Sequence, residues 1–325
     1  MRIFVSRPLP EQAMERLARR FEVAVGPADR ATTAAEVLAG AREADALISM
    51  LSDRIDAAFL DACPRLRVVA NYAVGVNNID LRAAAERGVH VTNTPGVLTD
   101  ATADLAFGLL LSVARRIPES ERFLRAGRFD GWAPLLFLGA DVAGARLGIV
   151  GMGRIGQAMA VRARAFGMEV VYVQRRPLDP ARERELGARY VSLEELLSTS
   201  DFVSLHCPLT PETHHLIDAR ALARMKPGAI LINTARGPVV DETALVEALR
   251  SGQLGGAGLD VFEEEPKVHP GLLDRDDVVL TPHTGSATRG TRLRMAMMVC
   301  EDVERVLDGR PPLHPVNEPV AGGRR

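Results

Sequence analysis

The chain has 325 residues, of which 47% are hydrophobic, and its formal net charge is −2. This length favours two domains with full hydrophobic cores, and the nearly balanced charge gives no electrostatic case for nucleic-acid binding. Cys63, Cys207 and Cys300 are too few and too scattered for a disulfide scaffold or a metal site. The chain begins with strand-forming residues and has no apolar run of membrane length. We therefore expect a soluble cytoplasmic protein without a nucleic-acid or membrane partner.

Strands and helices are predicted to alternate along the chain, which is typical of parallel sheets with crossover helices. The first series contains five predicted strands, at residues 2–6, 22–25, 46–50, 67–71 and 89–92. A long helix is predicted over residues 100–115. The second series contains six predicted strands, at residues 146–150, 169–173, 202–206, 229–233, 257–261 and 278–281. A last helix is predicted over residues 287–307. The simplest arrangement inserts the second series into the first domain, to which the last helix returns.

A glycine-rich turn lies between a predicted strand and a predicted helix of the second series. The segment Ile149-Val-Gly-Met-Gly-Arg-Ile-Gly156 has the G-x-G-x-x-G pattern of dinucleotide-binding domains. Gly151 permits the tight turn, Gly153 lets the backbone approach a pyrophosphate, and Gly156 lets helix and strand pack closely. The free N–H groups at the start of the helix would face the phosphates. We predict a dinucleotide site here, the alternative being a glycine turn that binds nothing.

The residues that should select the cofactor follow the next strand. A site built for NAD places Asp or Glu at the end of that strand, to bind the ribose 2′-hydroxyl. This chain instead has Gln174, Arg175 and Arg176, and guanidinium groups can bind a 2′-phosphate through paired hydrogen bonds. The sequence therefore predicts NADP as the preferred cofactor and leaves the use of NAD open. The alternative is that both arginines are solvated surface charges, because all but two of the 40 basic residues are arginine.

Three further motifs follow later strands of the second series. They are Asn233-Thr-Ala-Arg-Gly-Pro-Val-Val-Asp241, Gly258-Leu-Asp-Val-Phe-Glu-Glu-Glu-Pro266 and Leu280-Thr-Pro-His-Thr-Gly-Ser286. With the glycine turn, these motifs resemble the D-2-hydroxyacid dehydrogenase family. The resemblance covers nearly the whole chain, including Asn71–Asp80 and Asn93–Gly96, and Trp132–Gly139 is similar to the glyoxylate and hydroxypyruvate reductase branch.

The resemblance implies an α/β fold with two doubly wound parallel sheets. A flavodoxin-like substrate domain would comprise residues 1–98 and 287–325, and a Rossmann NAD(P)-binding domain would comprise residues 99–286. It further implies a reductase of small 2-keto acids, with a catalytic triad at Arg236, Glu265 and His283. It also implies that the protein forms a homodimer.

The chemistry of keto-acid reduction agrees with these three residue types. The cofactor supplies a hydride to the carbonyl carbon, and a histidine such as His283 is a natural proton donor to the oxygen. Glu265 would fix the histidine tautomer, although Glu263 and Glu264 compete for that role. Arg236 can bind the substrate carboxylate and polarise the keto oxygen.

His206 is a rival for the role of proton donor, since it also ends a strand. In the family its segment lines the nicotinamide ribose, so we assign it to the cofactor, with Cys207 as part of the wall. His214 and His215 are interpreted as surface residues that begin a helix without a partner. The resemblance assigns further positions to cofactor binding, in addition to the glycines and residues 174–176: Thr102, Arg154, Ile155, Pro208, Thr234, Ala235, Asp260 and Gly285.

The substrate pocket is predicted from one loop of the first series. Gly75 lets the backbone face a ligand closely, and N–H groups at Val74 and Gly75 could hold a carboxylate, as this loop does in the family. Leu51 and Arg292 are candidates to complete the pocket. Trp132 is interpreted either as a packing anchor or, as in this branch, as a residue that reaches the partner subunit.

Two classes of function agree with these patterns. The favoured one is an NADP-preferring reductase of glyoxylate and hydroxypyruvate, and the other is a nucleotide-sensing protein of the corepressor type, because fold alone does not fix function. Within the family, other substrate ranges stay open.

Overall fold

The computed structural model describes residues 1–320 of a chain that divides into two compact units. Met1–Leu98 and Ala287–Arg325 form the first unit, the latter segment being described to residue 320, and Thr99–Ser286 forms the second. No helix in the described part of the chain is long and apolar enough to cross a membrane.

The first unit contains a five-stranded parallel sheet. Its strands are β1 (Arg2–Val5), β2 (Glu22–Val25), β3 (Ala46–Ser49), β4 (Val68–Asn71) and β5 (His90–Thr92). They are ordered β2-β1-β3-β4-β5, which is the doubly wound order of flavodoxin. Its helices are α1 (Glu11–Ala18), α2 (Ala34–Ala41), α3 (Ala57–Ala62), α4 (Leu81–Glu86) and α13 (Arg289–Leu307). The flavodoxin-like fold is confirmed.

The second unit contains a seven-stranded parallel sheet. Its strands are β6 (Arg146–Val150), β7 (Glu169–Val173), β8 (Ala188–Tyr190), β9 (Phe202–Leu205), β10 (Ala229–Asn233), β11 (Leu254–Leu259) and β12 (Val278–Leu280). The order β12-β11-β10-β9-β6-β7-β8 is the Rossmann order with one added strand, and it reverses between β6 and β9. The Rossmann prediction is therefore confirmed.

Helices cover both faces of this sheet. They are α5 (Thr99–Ala114), α6 (Ile117–Arg125), α7 (Arg154–Ala165), α8 (Pro180–Leu186), α9 (Leu193–Thr199), α10 (Ala219–Arg224), α11 (Glu242–Arg250) and α12 (Pro270–Leu273), with a 3₁₀ turn at Gly237–Val239. Every residue of β9 and β10 is buried, as expected for strands packed on both faces. Asp241 caps α11 by accepting a hydrogen bond from the Ala244 N–H.

Two local predictions are wrong. The edge strand β8 was not expected, because only three residues pair with β7 and two of them are exposed. His214 and His215 lie in a turn, and the next helix, α10, begins only at Ala219.

Candidate active site

The loops with the predicted functional residues leave the second sheet at one edge. They follow β6, β9, β10, β11 and β12, which are neighbouring parallel strands. Since parallel strands end at the same edge, the loops gather outside their carboxyl ends, where open α/β sheets bind ligands.

The glycine turn has the geometry that a pyrophosphate site needs. Gly151 has a φ of 95°, and a Cβ there would lie 2.6 Å from the Cys207 backbone nitrogen. A Cβ on Gly156 would lie 2.2 Å from the Gly151 carbonyl oxygen, so neither position accepts a side chain. Gly153 precedes α7, and a Cβ there would meet no atom within 4 Å. Open space in front of a helix N-terminus fits a bound phosphate group.

Two further positions assigned to the cofactor have features that fit a ligand. Thr234 Oγ1 is buried and has no hydrogen-bond partner among the described residues, although a buried hydroxyl is costly without one. Gly285 lies against Thr102 and Asp260, since a Cβ on Gly285 would come within 3.4 Å of both side chains. Ala235 is half-buried in the loop of Thr234, and Pro208 is exposed in the loop after β9.

Arg175 and Arg176 are exposed where β7 ends, next to half-buried Gln174. Neither guanidinium makes an ion pair with a described acidic residue within 4 Å. The charge of Arg175 nevertheless helps to hold the pKa of Glu212 below its usual value, after the hydrogen bonds from Thr210 and the Glu212 backbone. Two arginines without a close acidic partner are suited to bind a phosphate.

The geometry at His206 favours a neutral imidazole. Burial lowers the pKa of His206 to about 4, and its Nε2 lies 2.9 Å from the Ser204 hydroxyl. A proton donor must carry its proton at working pH, so His206 is poorly suited to that role. Burial also raises the pKa of Cys207 to about 11, which leaves the thiol protonated and a weak nucleophile.

His283 and Glu265 form the central pair of the site. His283 Nδ1 lies 2.9 Å from Glu265 Oε2, and the side chains are 26% and 29% exposed, so both can reach a ligand. Burial raises the pKa of Glu265, but the hydrogen bond and charge of His283, the Phe262 N–H and Arg236 outweigh it, and the net pKa is lowered. The carboxylate is therefore ionised and can hold the imidazole in one orientation, with Nε2 directed away from it.

The backbone of His283 is held in an uncommon conformation. Its φ is 54°, in the left-handed region that few non-glycine residues adopt. Buried Asp260 fixes the loop: its carboxylate accepts from the backbone N–H groups of Thr284 and Gly285 and from the Thr281 hydroxyl, at 2.6–2.8 Å. Such conformations persist where surrounding structure enforces them, often at functional sites.

Arg236 follows β10 and belongs to the same electrostatic cluster. Burial lowers the pKa of Arg236, and the charge of Glu265 opposes that effect. Asn233 holds the loop, since its Nδ2 donates to the Arg236 carbonyl oxygen at 3.0 Å and its Oδ1 accepts from the Ala235 N–H at 3.0 Å. The second unit thus places a cation, a carboxylate and a histidine on consecutive strand ends.

The first unit contains the other predicted substrate residues. In the loop after β4, the carbonyl oxygens of Val74 and Gly75 accept hydrogen bonds from the side-chain amides of Asn93 and Asn71, at 2.7 and 2.8 Å respectively. The N–H groups of Val74 and Gly75 donate to no residue in the described part of the chain. The Arg292 guanidinium lies 5.9 Å from the Tyr72 ring centre, and Leu51 is half-buried. The backbone of Val74 and Gly75 is thus held by its carbonyl oxygens, while its N–H groups stay available to donate. Such backbone N–H groups suit an anionic ligand.

Trp132 is 84% exposed and lies in an apolar segment of the second unit. This exposure does not support a role as a packing anchor within the chain. Its neighbours are also exposed: Phe129, Leu135, Leu136 and Leu138. Phe137 joins the segment to α6, its ring centre lying 5.1 Å from that of Phe123.

His215 has a partner that the sequence did not indicate. Its Nε2 lies 2.5 Å from Glu263 Oε1, and its ring stacks on that of His214 at 4.1 Å. The interpretation of His215 as a surface residue without a partner is therefore wrong. The pair joins residues 48 positions apart, so no local sequence pattern indicates it. Glu263 is therefore engaged elsewhere, and Glu265 is the glutamate that binds His283.

Comparisons with known proteins agree with this geometry. Residues 107–285 match the family model of the D-isomer specific 2-hydroxyacid dehydrogenase NAD binding domain. The glyoxylate reductase of Thermococcus litoralis is 49% identical over 98% of this chain and 97% of its own.

Two solved structures are similar over nearly the full length. The TT0316 protein of Thermus thermophilus has a TM-score of 0.92 and 52% identity, covering 97% of this chain and 100% of its own. The NADPH-dependent glyoxylate/hydroxypyruvate reductase of Sinorhizobium meliloti, in complex with NADP and malonate, has a TM-score of 0.87 and 37% identity, covering 98% and 97%. This chain belongs to the D-2-hydroxyacid dehydrogenase family, in the glyoxylate reductase branch, and is an oxidoreductase that uses a nicotinamide cofactor.

Proposed function

We propose that the protein is an NADP-preferring reductase of glyoxylate and hydroxypyruvate that forms D-2-hydroxy acids, with His283 as proton donor. The observation that carries the proposal is the 2.9 Å pair of His283 and ionised Glu265, next to Arg236 at the carboxyl end of a Rossmann sheet. The names of the relatives from Thermococcus litoralis and Sinorhizobium meliloti support the substrate class.

Each residue of the triad has a distinct task in this mechanism. When bound, the reduced nicotinamide supplies the hydride that the carbonyl carbon accepts. Arg236 binds the substrate carboxylate and polarises the keto oxygen. His283 donates the proton from Nε2 to that oxygen as the C–H bond forms. Glu265 accepts a hydrogen bond from Nδ1, fixes the tautomer and stabilises the charged imidazole.

We assign the carboxylate-binding role in the first unit to the loop at Val74 and Gly75. The free N–H groups of these residues support it, and Arg292 and Leu51 are proposed to line the same pocket. The residues assigned to the cofactor keep their predicted roles in this proposal: Thr102 in α5, the glycine turn and the loops after β7, β9, β10, β11 and β12.

The preference for NADP can be tested at Arg175 and Arg176. A hydrogen bond to a charged group contributes about 1.5–3 kcal/mol, so replacing both arginines by alanine should lower kcat/KM for NADPH about tenfold or more. The value for NADH should change little, because NADH has no 2′-phosphate. A double variant of Arg220 and Arg224, two arginines of α10, removes the same charge and should match the wild type. Equal losses with both cofactors would contradict the assignment.

The substrate range can be tested with four keto acids. The active site is proposed to leave little room for the substituent on the keto carbon, so glyoxylate and hydroxypyruvate should give the highest kcat/KM and phenylpyruvate the lowest. An apolar pocket discriminates by about 1–3 kcal/mol per methylene, so pyruvate should be turned over weakly. Trp132→Ala should raise activity on phenylpyruvate relative to glyoxylate, whereas Leu135→Ala in the same segment should not. A wild-type preference for phenylpyruvate would overturn the proposed range.

We further propose that the protein is a homodimer. The exposed apolar segment around Trp132, with Leu135 78% and Leu138 61% exposed, is typical of a surface that a second chain covers. Light scattering should give twice the mass of one chain, which is 35.1 kDa, and a monomer at micromolar concentration would refute this assembly.

A nucleotide-sensing protein of the corepressor type is the second candidate. It would retain the dinucleotide site, bind NADPH and turn over none of the four keto acids. The complete triad supports the enzyme instead, because nucleotide sensing needs no paired acid and carboxylate.

A further inference from the structure

A hydrogen-bonded network outside the triad joins three loops of the second unit. It consists of His215 after β9, Glu242 at the start of α11, and Glu263 after β11. His215 Nε2 lies 2.5 Å from Glu263 Oε1. The Glu242 N–H donates to Glu263 Oε2 at 3.1 Å, and the Glu263 N–H donates to Glu242 Oε1 at 2.7 Å. Each glutamate side chain therefore accepts a hydrogen bond from the other's backbone N–H, and His215 is hydrogen-bonded to Glu263.

Forming this network costs free energy, because one of its carboxyl groups is buried. Glu242 is only 6% exposed, and burial, with the nearby charge of Glu263, raises its pKa despite the Glu263 backbone hydrogen bond. Buried carboxyl groups require partners of this kind. His215 has a φ of 50°, and its N–H donates to the Pro238 carbonyl oxygen at 2.8 Å. His215 and Glu263 thus each contact both of the other loops, and Glu242 contacts the loop of Glu263.

Each of the three loops also contains a residue of the proposed site. His206 lies in the loop of His215, Arg236 precedes α11, and Glu265 is two residues after Glu263. The loops of Arg236 and Glu265 touch directly, because a Cβ on Gly237 would lie 1.8 Å from the Phe262 carbonyl oxygen. The Phe262 N–H also donates to Glu265 Oε1 at 3.1 Å. Movement of residues 262–263 would therefore displace the carboxylate that orients His283.

We infer that Glu263, held by His215 and Glu242, is a positioning residue for keto-acid reduction. It fixes the backbone at Phe262 and Glu263, so that Glu265 keeps its hydrogen bond to His283. This inference rests on the proposed function, since it presumes that the pair of Glu265 and His283 does the proton transfer. Glu263 and His215 touch neither of those two side chains by hydrogen bond among the described residues, so they act only through the loop.

The test compares Glu263→Ala and His215→Ala with matched controls. The controls are Glu264→Ala and His214→Ala, which remove the adjacent exposed glutamate and histidine. A small misplacement of a catalytic group costs one to two orders of magnitude in rate. We expect kcat for glyoxylate to fall about tenfold in Glu263→Ala and His215→Ala, with KM for glyoxylate and NADPH within about twofold of wild type. Glu263→Gln keeps the acceptor for the Glu242 N–H and should recover most of kcat.

A second readout does not depend on activity. Amide hydrogen exchange in the segment 260–266 should rise in Glu263→Ala and stay at the wild-type level in Glu264→Ala. Unchanged exchange and kcat in Glu263→Ala would overturn the inference, as would equal effects in the controls. If Glu263→Ala does not fold, His215→Ala decides by the same two measurements, because it removes the partner of Glu263 Oε1.

Two other outcomes separate this inference from the proposed function. A wild-type enzyme without keto-acid reductase activity would contradict the proposed function, while the exchange data would still show whether Glu263 holds the loop. Loss of activity on treatment with EDTA, restored by Zn²⁺ in wild type but not in His214→Ala, would overturn the inference. It would show that His214, His215 and Glu263, whose ligand atoms lie within 4.8 Å of one another, act by binding a metal ion.

Discussion

Replacement of His283 by alanine is expected to lower kcat for glyoxylate by about 10²–10⁴-fold, the usual contribution of a positioned proton donor. NADPH should bind with nearly unchanged affinity, because proton donation is needed only in the chemical step. Steady-state kinetics and fluorescence titration with NADPH measure the two quantities separately. The large effect follows from the geometry of the pair: Glu265 holds Nδ1 at 2.9 Å and leaves Nε2 as the donor.

His206 provides the matched control for this experiment. It also follows a strand of the second sheet, but burial lowers its pKa to about 4. A histidine whose folded pKa is that low is protonated only in acid and is neutral near pH 7. His206→Ala should therefore cost less in kcat than His283→Ala. The reverse order of the two losses would show that His206 is the acid.

Replacement of Arg236 by alanine is expected to lower kcat/KM for glyoxylate at least about 100-fold. The loss combines a charged hydrogen bond to the carboxylate, which contributes about 1.5–3 kcal/mol, with the polarisation of the keto oxygen in the transition state. Both KM and kcat should change, since the first interaction is present in the ground state and the second grows in the transition state. Steady-state kinetics of the variant and the wild type would measure this.

Two further variants sharpen the assignment of Arg236. Arg236→Lys keeps the charge but loses the planar pair of donors, so it should recover only part of the lost kcat/KM. Arg220→Ala removes an exposed arginine of α10 and should have no effect. Wild-type kinetics in Arg236→Ala would rule out a role for this guanidinium in substrate binding.

Much of the fold could be predicted from the sequence because its strands are buried. β9 and β10 are largely apolar and fully buried, and the alternation of strands and helices along the chain indicates parallel sheets. The edge strand β8 escaped prediction because its exposed residues Arg189 and Tyr190 show no apolar run. The start of β11 was also placed late: it begins at Leu254, and Gly255 and Gly256 have little preference for strands.

The site was predictable where short motifs determine it. Gly151 and Gly156 could be identified because their backbone positions exclude any side chain. The choice of Glu265 over Glu263 for the triad rests on the family resemblance; in the structure His283 is hydrogen-bonded to Glu265, and Glu263 pairs with His215. That partnership was invisible in the sequence, because it joins residues 48 positions apart through a turn in which His215 adopts a positive φ. Long-range polar pairs of this kind leave no local pattern.

The central claim is that this chain reduces small 2-keto acids, and turnover by the wild-type protein tests it most directly. Purified protein is mixed with NADPH and glyoxylate, and loss of NADPH is followed together with formation of glycolate. We expect stoichiometric conversion with kcat/KM of about 10⁴ M⁻¹s⁻¹ or more, and hydroxypyruvate should give D-glycerate. Tight binding of NADPH without turnover of either keto acid would contradict this claim and favour a nucleotide-sensing protein.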